Sequence, residues 1–368
     1  MDPGPRMRAI YEFRPVDHLP RREFYIWGEA IERWRGEGLP EDYGERNLFN
    51  FDPPGTVGIG LNLGWCEPPF LPAYEEEVVR VEGDTEIVRD AAGRLLRVFR
   101  GRRHGFMPEY VGHPVSCERD WEKDVAPRLD PDDERRYEGL PEKCRDAAAR
   151  REDEGVMLRQ GMVGGYMYLR ALMGPEDLLF AFYDKPDLIR RMMGRWVALM
   201  DTGLARIQHY TVIDELGLGE DICYNHGLLI SPEMVREFLL PCYRQVVQNA
   251  RARQEPHIYF HLDTDGWAVP AVELYREAGV DVISPWEVAA GCDVVEIGRQ
   301  WPDLVMLGGI DKRVLAEGKD AIDRHVERVL PPMVERGGYI PTCDHGVPDN
   351  VSLESYLHYR RRVCELDH

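Results

Sequence analysis

The stretch HIYFHLDTDGWAVPAVELYREAGVDVISPWE, residues 257–287, holds one full period of the pattern that decides the fold. HIYFH (257–261) reads as a short strand. VPAVELYREAG (269–279) reads as an amphipathic helix ending on a glycine suited to a C-cap, and DVISP (281–285) reads as the next strand. The polar residues His261, Asp263, Asp265 and Glu287 fall where the strands give out.

The same period recurs on both sides. Strands are expected at 156–160 (VMLRQ), 211–215 (TVIDE), 304–309 (LVMLGG) and 338–342 (GYIPT). Helices are expected at 231–252, with Ser231 and Pro232 suited to N-cap and N1, and at 320–337. Strands alternating with helices in this order predict a parallel sheet, and a strand at 23–27 (EFYIW) followed by a helix at 28–38 brings the count to seven. The expected architecture is α/β, a (β/α)8 TIM barrel, with a doubly wound sheet as the runner-up. No GxGxxG follows the first strand, so nothing points to a dinucleotide. Two segments depart from the rhythm. Residues 77–100 alternate apolar and charged positions, with turn signals at Gly83-Asp84 and Ala92-Gly93, and read as a small antiparallel β-meander inserted in the barrel. Residues 118–154 are strongly charged and mostly helical, which describes a solvated helix face. The whole chain, 1–368, is expected to be a single barrel domain.

With Asp+Glu 66 against Lys+Arg 46, the formal charge is −20. That balance disfavours nucleic acid and acidic membrane as partners, despite the local basic cluster FRGRRHG (99–105), and favours a small-molecule substrate. Eight scattered cysteines without a CxxC fit a reducing compartment. No apolar run suits a signal peptide or a membrane span, so a cytoplasmic protein is expected.

In a barrel the loops after the strands gather on one face, where catalytic groups sit. Glu220, Asp221 and Asn225 follow the strand at 211–215. His261, Asp263 and Asp265 follow the next strand, then Glu287, then Asp311 with Lys312 in GGIDK, then Cys343, Asp344 and His345. His261, Asp263 and Cys343 are residue types that bind Zn2+, and residues two apart in a strand face the same side. Three such ligands with one open position describe a catalytic zinc, with His345, Glu287 or Asp265 as substitutes. Taken residue by residue, an alternative stays open: His261 hydrogen-bonded to a carboxylate such as Asp263 or Asp221, and Cys343 a small buried hydrophobe. Trp27, Trp65, Tyr166 and Tyr168 are candidates to line a pocket for a planar molecule, and the glycines of RQGMVGGYMY (159–168) for a close backbone approach.

The segments ELGLGEDICYNHGLLISPEMVREFLLPCYRQVV, HLDTDG, GVDVISPWEVAAGCDVVEIGRQW, GGIDKRVLAEGKDAI and GGYIPTCDHGVPDNVSLESYLHY together resemble the uroporphyrinogen decarboxylase superfamily, which includes zinc-dependent, corrinoid-linked methyltransferases. The resemblance implies the barrel. The arginine-rich stretch like RQAGR with which the decarboxylase proper holds porphyrinogen carboxylates is replaced here by REFYIWGEAIERW, so heme-pathway decarboxylation is disfavoured. The methyltransferase branch uses a His-x-Cys pair and a distant Cys as zinc ligands, which carries over to His261, Asp263 and Cys343, with Asp in place of the middle Cys. The implied activity is transfer of a methyl group between a corrinoid (cobalamin) on a partner protein and a small thiol or similar acceptor. Asp221 and Glu287 are then candidate catalytic residues, Asn225, Tyr168 and Trp27 candidate cofactor contacts, and a homodimer is allowed. The alternatives are a metal-free decarboxylase-like lyase and a non-catalytic binding subunit.

Overall fold

A computed structural model describes residues 1–101 and 108–368. The basic cluster at 99–105 therefore lies mostly outside the described residues. Among the described residues thirteen strands are formed: β1 Thr56–Gly58, β2 Glu77–Glu82, β3 Thr85–Arg89, β4 Leu95–Phe99, β5 Glu109–Gly112, β6 Met157–Val163, β7 Glu215–Gly219, β8 Cys223–Tyr224, β9 Gly227–Leu228, β10 Tyr259–Asp263, β11 Val282–Ser284, β12 Val305–Leu307 and β13 Tyr339–Ile340.

Seven of them make one sheet in the order β1-β6-β7-β10-β11-β12-β13, parallel at every junction. Because strand order follows chain order and each crossover carries helix, the sheet curls in one direction with its helices outside, as a TIM-like α/β fold does. The expected strand at 23–27 forms only an isolated parallel bridge, Ile26 to Val347. Its backbone is tied to both sides all the same. Val347 N–H donates to Tyr25 O at 3.0 Å, Trp27 N–H to Val347 O at 3.2 Å, and Asp52 N–H to Arg21 O at 2.8 Å. Seven strands close part of the circle, and an irregular segment runs between the two edges.

The expected strand at 211–215 starts four residues later, at Glu215, and all five residues of β7 are buried. Its sequence ELGLG carries little hydrophobic signal because two side chains from neighbouring elements take up the space over it. A Cβ on Gly217 would lie 2.7 Å from the Arg159 guanidinium, and one on Gly219 would lie 3.0 Å from the Trp65 indole. The strand β1 was not apparent in the sequence, being three residues long.

The meander forms as β2-β3-β4 with β5 added, antiparallel throughout. The helix expected over 231–252 is capped by Ser231, whose Oγ accepts from Met234 N–H, but a π turn at Val235–Leu239 interrupts it. Pro241 explains the interruption, since it has no N–H to continue the i→i−4 ladder. A second π turn, Trp121–Val125, precedes Pro127 for the same reason and breaks the charged 118–154 segment into short turns before the helix Leu140–Glu154. Among the described residues no helix is long and apolar enough to cross a membrane.

Candidate functional site at the ends of the parallel strands

The strands of the parallel sheet are not simply apolar. A polar column runs through the sheet's inner side, beginning at helix α1 (Pro3–Tyr11). Tyr11 O–H donates to Glu215 Oε2 at 2.8 Å. Glu215 Oε1 lies 2.9 Å from His261 Nδ1 and 2.9 Å from Arg159 Nε. His261 Nε2 lies 2.8 Å from Ser284 Oγ, and the Ser284 hydroxyl donates to Asp263 Oδ2 at 2.6 Å. Glu215, His261 and Ser284 are buried and Asp263 is half-buried at the end of β10. Register builds the column: β10 pairs with β7 on one side and with β11 on the other, His261 and Asp263 share one face, and Asp263 sits opposite Ser284. Burial alone would push the Glu215 carboxyl up, but Arg159, His261 and Tyr11 outweigh it and hold it at about 2.

Beyond Asp263 the column opens on a cluster of carboxylates. Burial, then the neighbouring charges of Asp221, Glu287 and Asp263, push Asp265 up to about 7. Asp221 is raised by burial against the pull of Arg170, with Asp263 and Glu287 adding to the rise, and accepts from the Asp265 backbone N–H. Its φ of +44 puts a non-glycine residue in the left-handed region, a costly conformation that collects at working sites. Glu287 Oε2 accepts from Gly266 N–H at 2.9 Å and Oε1 lies 3.3 Å from Lys312 Nζ. Asp344 is buried and accepts from Val288 and Lys312 N–H, which ties the loops after β11, β12 and β13 together. On the far side Tyr25 O–H meets His345 Nδ1 at 2.7 Å, and His345 Nε2 lies 3.6 Å from Asp265 Oδ2. Trp27 stands edge-on to Tyr25, its ring centroid 4.9 Å away, and remains exposed. Asn225 is at the exposed tip of the β8–β9 hairpin. A cavity of about 830 Å³ lies beside the mouth, between segments 20–26 and 43–56, and Tyr25 lines it as well.

The structure thus brings Asp221, Asp263, Asp265, Glu287 and His345 to one mouth, with Trp27 at its rim. Tyr168 is fully buried in the helix Gly165–Met173 and its hydroxyl has no hydrogen-bond partner among the described residues. Glu220 turns away from the mouth: it is buried, accepts from the hydroxyls of Tyr243 and Tyr275 and from Tyr166 N–H, and burial raises it to about 8. Asp311 is the N-cap of the short helix Lys312–Glu317. Glu215, Ser284, Arg159, Tyr11 and Tyr25 are the members that sequence reading missed. The available signal was a charged or hydroxyl residue inside an expected strand, as in VMLRQ, TVIDE and DVISP.

The fit of zinc to His261, Asp263 and Cys343 depends on free donor atoms. Both His261 nitrogens face protein partners, and Asp263 Oδ2 receives the Ser284 hydroxyl. The Cys343 thiol is fully buried, and burial with the nearby Glu23 and Asp344 carboxylates pushes its pKa well above the usual thiol value in the metal-free chain. Among the described residues no three His, Cys, Asp or Glu side chains are grouped so as to hold a metal ion. In this arrangement the donor set does not fit zinc.

A curled parallel α/β sheet with a carboxylate-lined mouth at its strand ends defines a TIM-barrel-like site of the kind that serves many chemistries. The sequence profile of the uroporphyrinogen decarboxylase (URO-D) family matches residues 110–365, and the chain belongs to that family. It is 27% identical over 359 residues to a uroporphyrinogen decarboxylase of Geobacter sulfurreducens, covering 94% of each chain. It is 30% identical over 133 residues to that of Geobacter metallireducens, a match spanning 37% of the relative's length. Among solved structures it resembles a methyltransferase from Methanosarcina mazei at 14% identity, with a TM-score of 0.60 over 99% of both chains, a likeness of fold.

Proposed function

We propose that this chain is a methyl-transferring enzyme of the URO-D superfamily, working between a corrinoid on a partner protein and a small thiol or similar acceptor. The observation that carries the reading is Asp265, a carboxyl at the mouth held at about 7 by burial and by Asp221, Glu287 and Asp263. An acceptor thiol must lose its proton as it takes a methyl group, and a carboxylate with a pKa near neutrality removes such a proton well. The corrinoid supplies the methyl group; Asp265 takes the acceptor's proton, and Asp221 and Glu287 hold Asp265 in place through its backbone and that of Gly266. Trp27 at the rim, and Asn225 at the tip of the β8–β9 hairpin, are read as contacts for the corrinoid or its carrier. Zinc has no part in this reading, because His261 and Asp263 Oδ2 are taken up by Glu215 and Ser284. The same acidic mouth speaks against a polycarboxylate porphyrinogen, which would meet like charges there. The full chain is read as one barrel domain, with segment 21–27 filling the eighth position.

A second reading, a metal-free decarboxylase-like lyase, is favoured by Asp221 in its strained conformation beside Asp263, a carboxylate pair able to stabilise a developing cation. Two incubations of the purified chain separate them. Methylcobalamin with a panel of small thiols should show chain-dependent loss of the methyl–cobalt absorbance and no carbon dioxide release from uroporphyrinogen. Carbon dioxide release with methylcobalamin untouched would replace the first reading by the second.

A further inference from the structure

Where an eighth strand would stand, segment 20–26 runs irregularly, and the cavity of about 830 Å³ lies between it and segment 43–56. Arg6, Arg21 and Arg22 line that cavity. Two of the three have carboxylate partners: Arg6 pairs with Asp17 at 2.9 Å and Asp52 at 3.2 Å, and Arg21 with Asp367 at 2.6 Å. The Arg22 guanidinium has no hydrogen bond or ion pair among the described residues, and its neighbours act on it through charge alone. The two carboxylates in its field, Glu215 and Glu23, are already engaged. Glu215 accepts from the Tyr11 hydroxyl and faces His261 Nδ1 and Arg159 Nε. Glu23 Oε1 accepts from Cys343 N–H at 2.7 Å and Phe24 N–H at 3.1 Å, and Oε2 accepts from the Tyr356 hydroxyl at 3.2 Å. Arg159 adds a second positive charge nearby.

Arg22 sits deep enough for burial to lower its pKa, yet it is only half-buried, as a side chain facing an internal cavity is. A cation so placed without a counterion is costly, and its planar fork of N–H donors matches a carboxylate in two parallel hydrogen bonds. Much of the remaining wall is apolar, with Met7, Ile26, Ile31, Phe49 and Phe51, and the volume suits a small molecule. We propose that this cavity binds a monocarboxylic acid with an apolar body, its carboxylate held by Arg22. One unpaired guanidinium serves one anionic group. A second carboxylate would meet Glu23 and Asp52 in the same wall and two arginines that are already paired. The site does not depend on the methyl-transfer reading. It adjoins the mouth through Tyr25, which lines the cavity and hydrogen-bonds His345.

The test is isothermal titration calorimetry of the full chain with octanoate and with its neutral analogue, octanamide. The acid is expected to bind about tenfold or more tightly than the amide, the difference that hydrogen bonds to a charged group make. Arg22→Gln should bring the two to equal affinity, and Arg22→Lys should keep part of the preference because it keeps the charge without the fork. Equal binding of acid and amide by the wild-type chain, or binding of neither, overturns the proposal without any variant having to fold. So does a preference for the acid that survives intact in Arg22→Gln, which would put the carboxylate elsewhere. No methyl donor enters the titration, so a failed methylcobalamin assay beside a selective octanoate site refutes the function alone.

Discussion

Glu215 Oε1 lies 2.9 Å from His261 Nδ1, with both side chains almost entirely buried. A carboxyl held at about 2, below its ordinary 4.5, stabilises the fold at pH above the unfolded value and loses that contribution as pH falls through about 2. The shift corresponds to about 3 kcal/mol, in line with the roughly 3–5 kcal/mol lost on breaking a buried pair. Glu215→Gln is therefore expected to lower the unfolding free energy at pH 7 by about 3 kcal/mol and to flatten the decline between pH 4.5 and 2. Urea titrations at stepped pH read both.

Gly164 packs against Glu220 so closely that a methyl group there would overlap Oε2 and crowd the Gly219 carbonyl. Glu220 cannot withdraw, since two tyrosine hydroxyls and a backbone N–H hold it. Gly164→Ala is expected to cost about 1–3 kcal/mol, read as a lower urea midpoint at unchanged slope.

Trp27 is 46% exposed, and its aromatic contacts are with Tyr25 and His345 at the rim. Trp27→Ala should change unfolding free energy by no more than about 0.5 kcal/mol, as surface substitutions do, while raising the KM for the methyl donor. Paired thermal unfolding and steady-state kinetics check this, and a collapse in stability would make Trp27 a packing residue.

The fold was largely legible because its helices are long and amphipathic and its strands fall between them with turn residues at the joins. The first strand position misled, since EFYIW is a run of apolar and aromatic residues yet pairs at only one residue, and β7 was misplaced because its glycines serve Arg159 and Trp65 and not its own hydrophobicity. The mouth carboxylates were legible as polar residues just past strands. The column behind them was not. Glu215, His261 and Ser284 come from three strands, and only the register between β7, β10 and β11 puts them in contact. Cys343 carried the right chemistry in the sequence, but its burial next to Glu23 is a tertiary fact.

The proposed role of Asp265 as the base of a methyl transfer is read in the pH–rate profile of methylcobalamin-to-thiol transfer for the chain and for Asp265→Asn. With its carboxyl at about 7, Asp265 is a base only above that pH. The ratio of wild-type to variant rate should rise through pH 7 and level off at about 10²-fold or more. A ratio that stays near one from pH 5 to 9 would contradict the account.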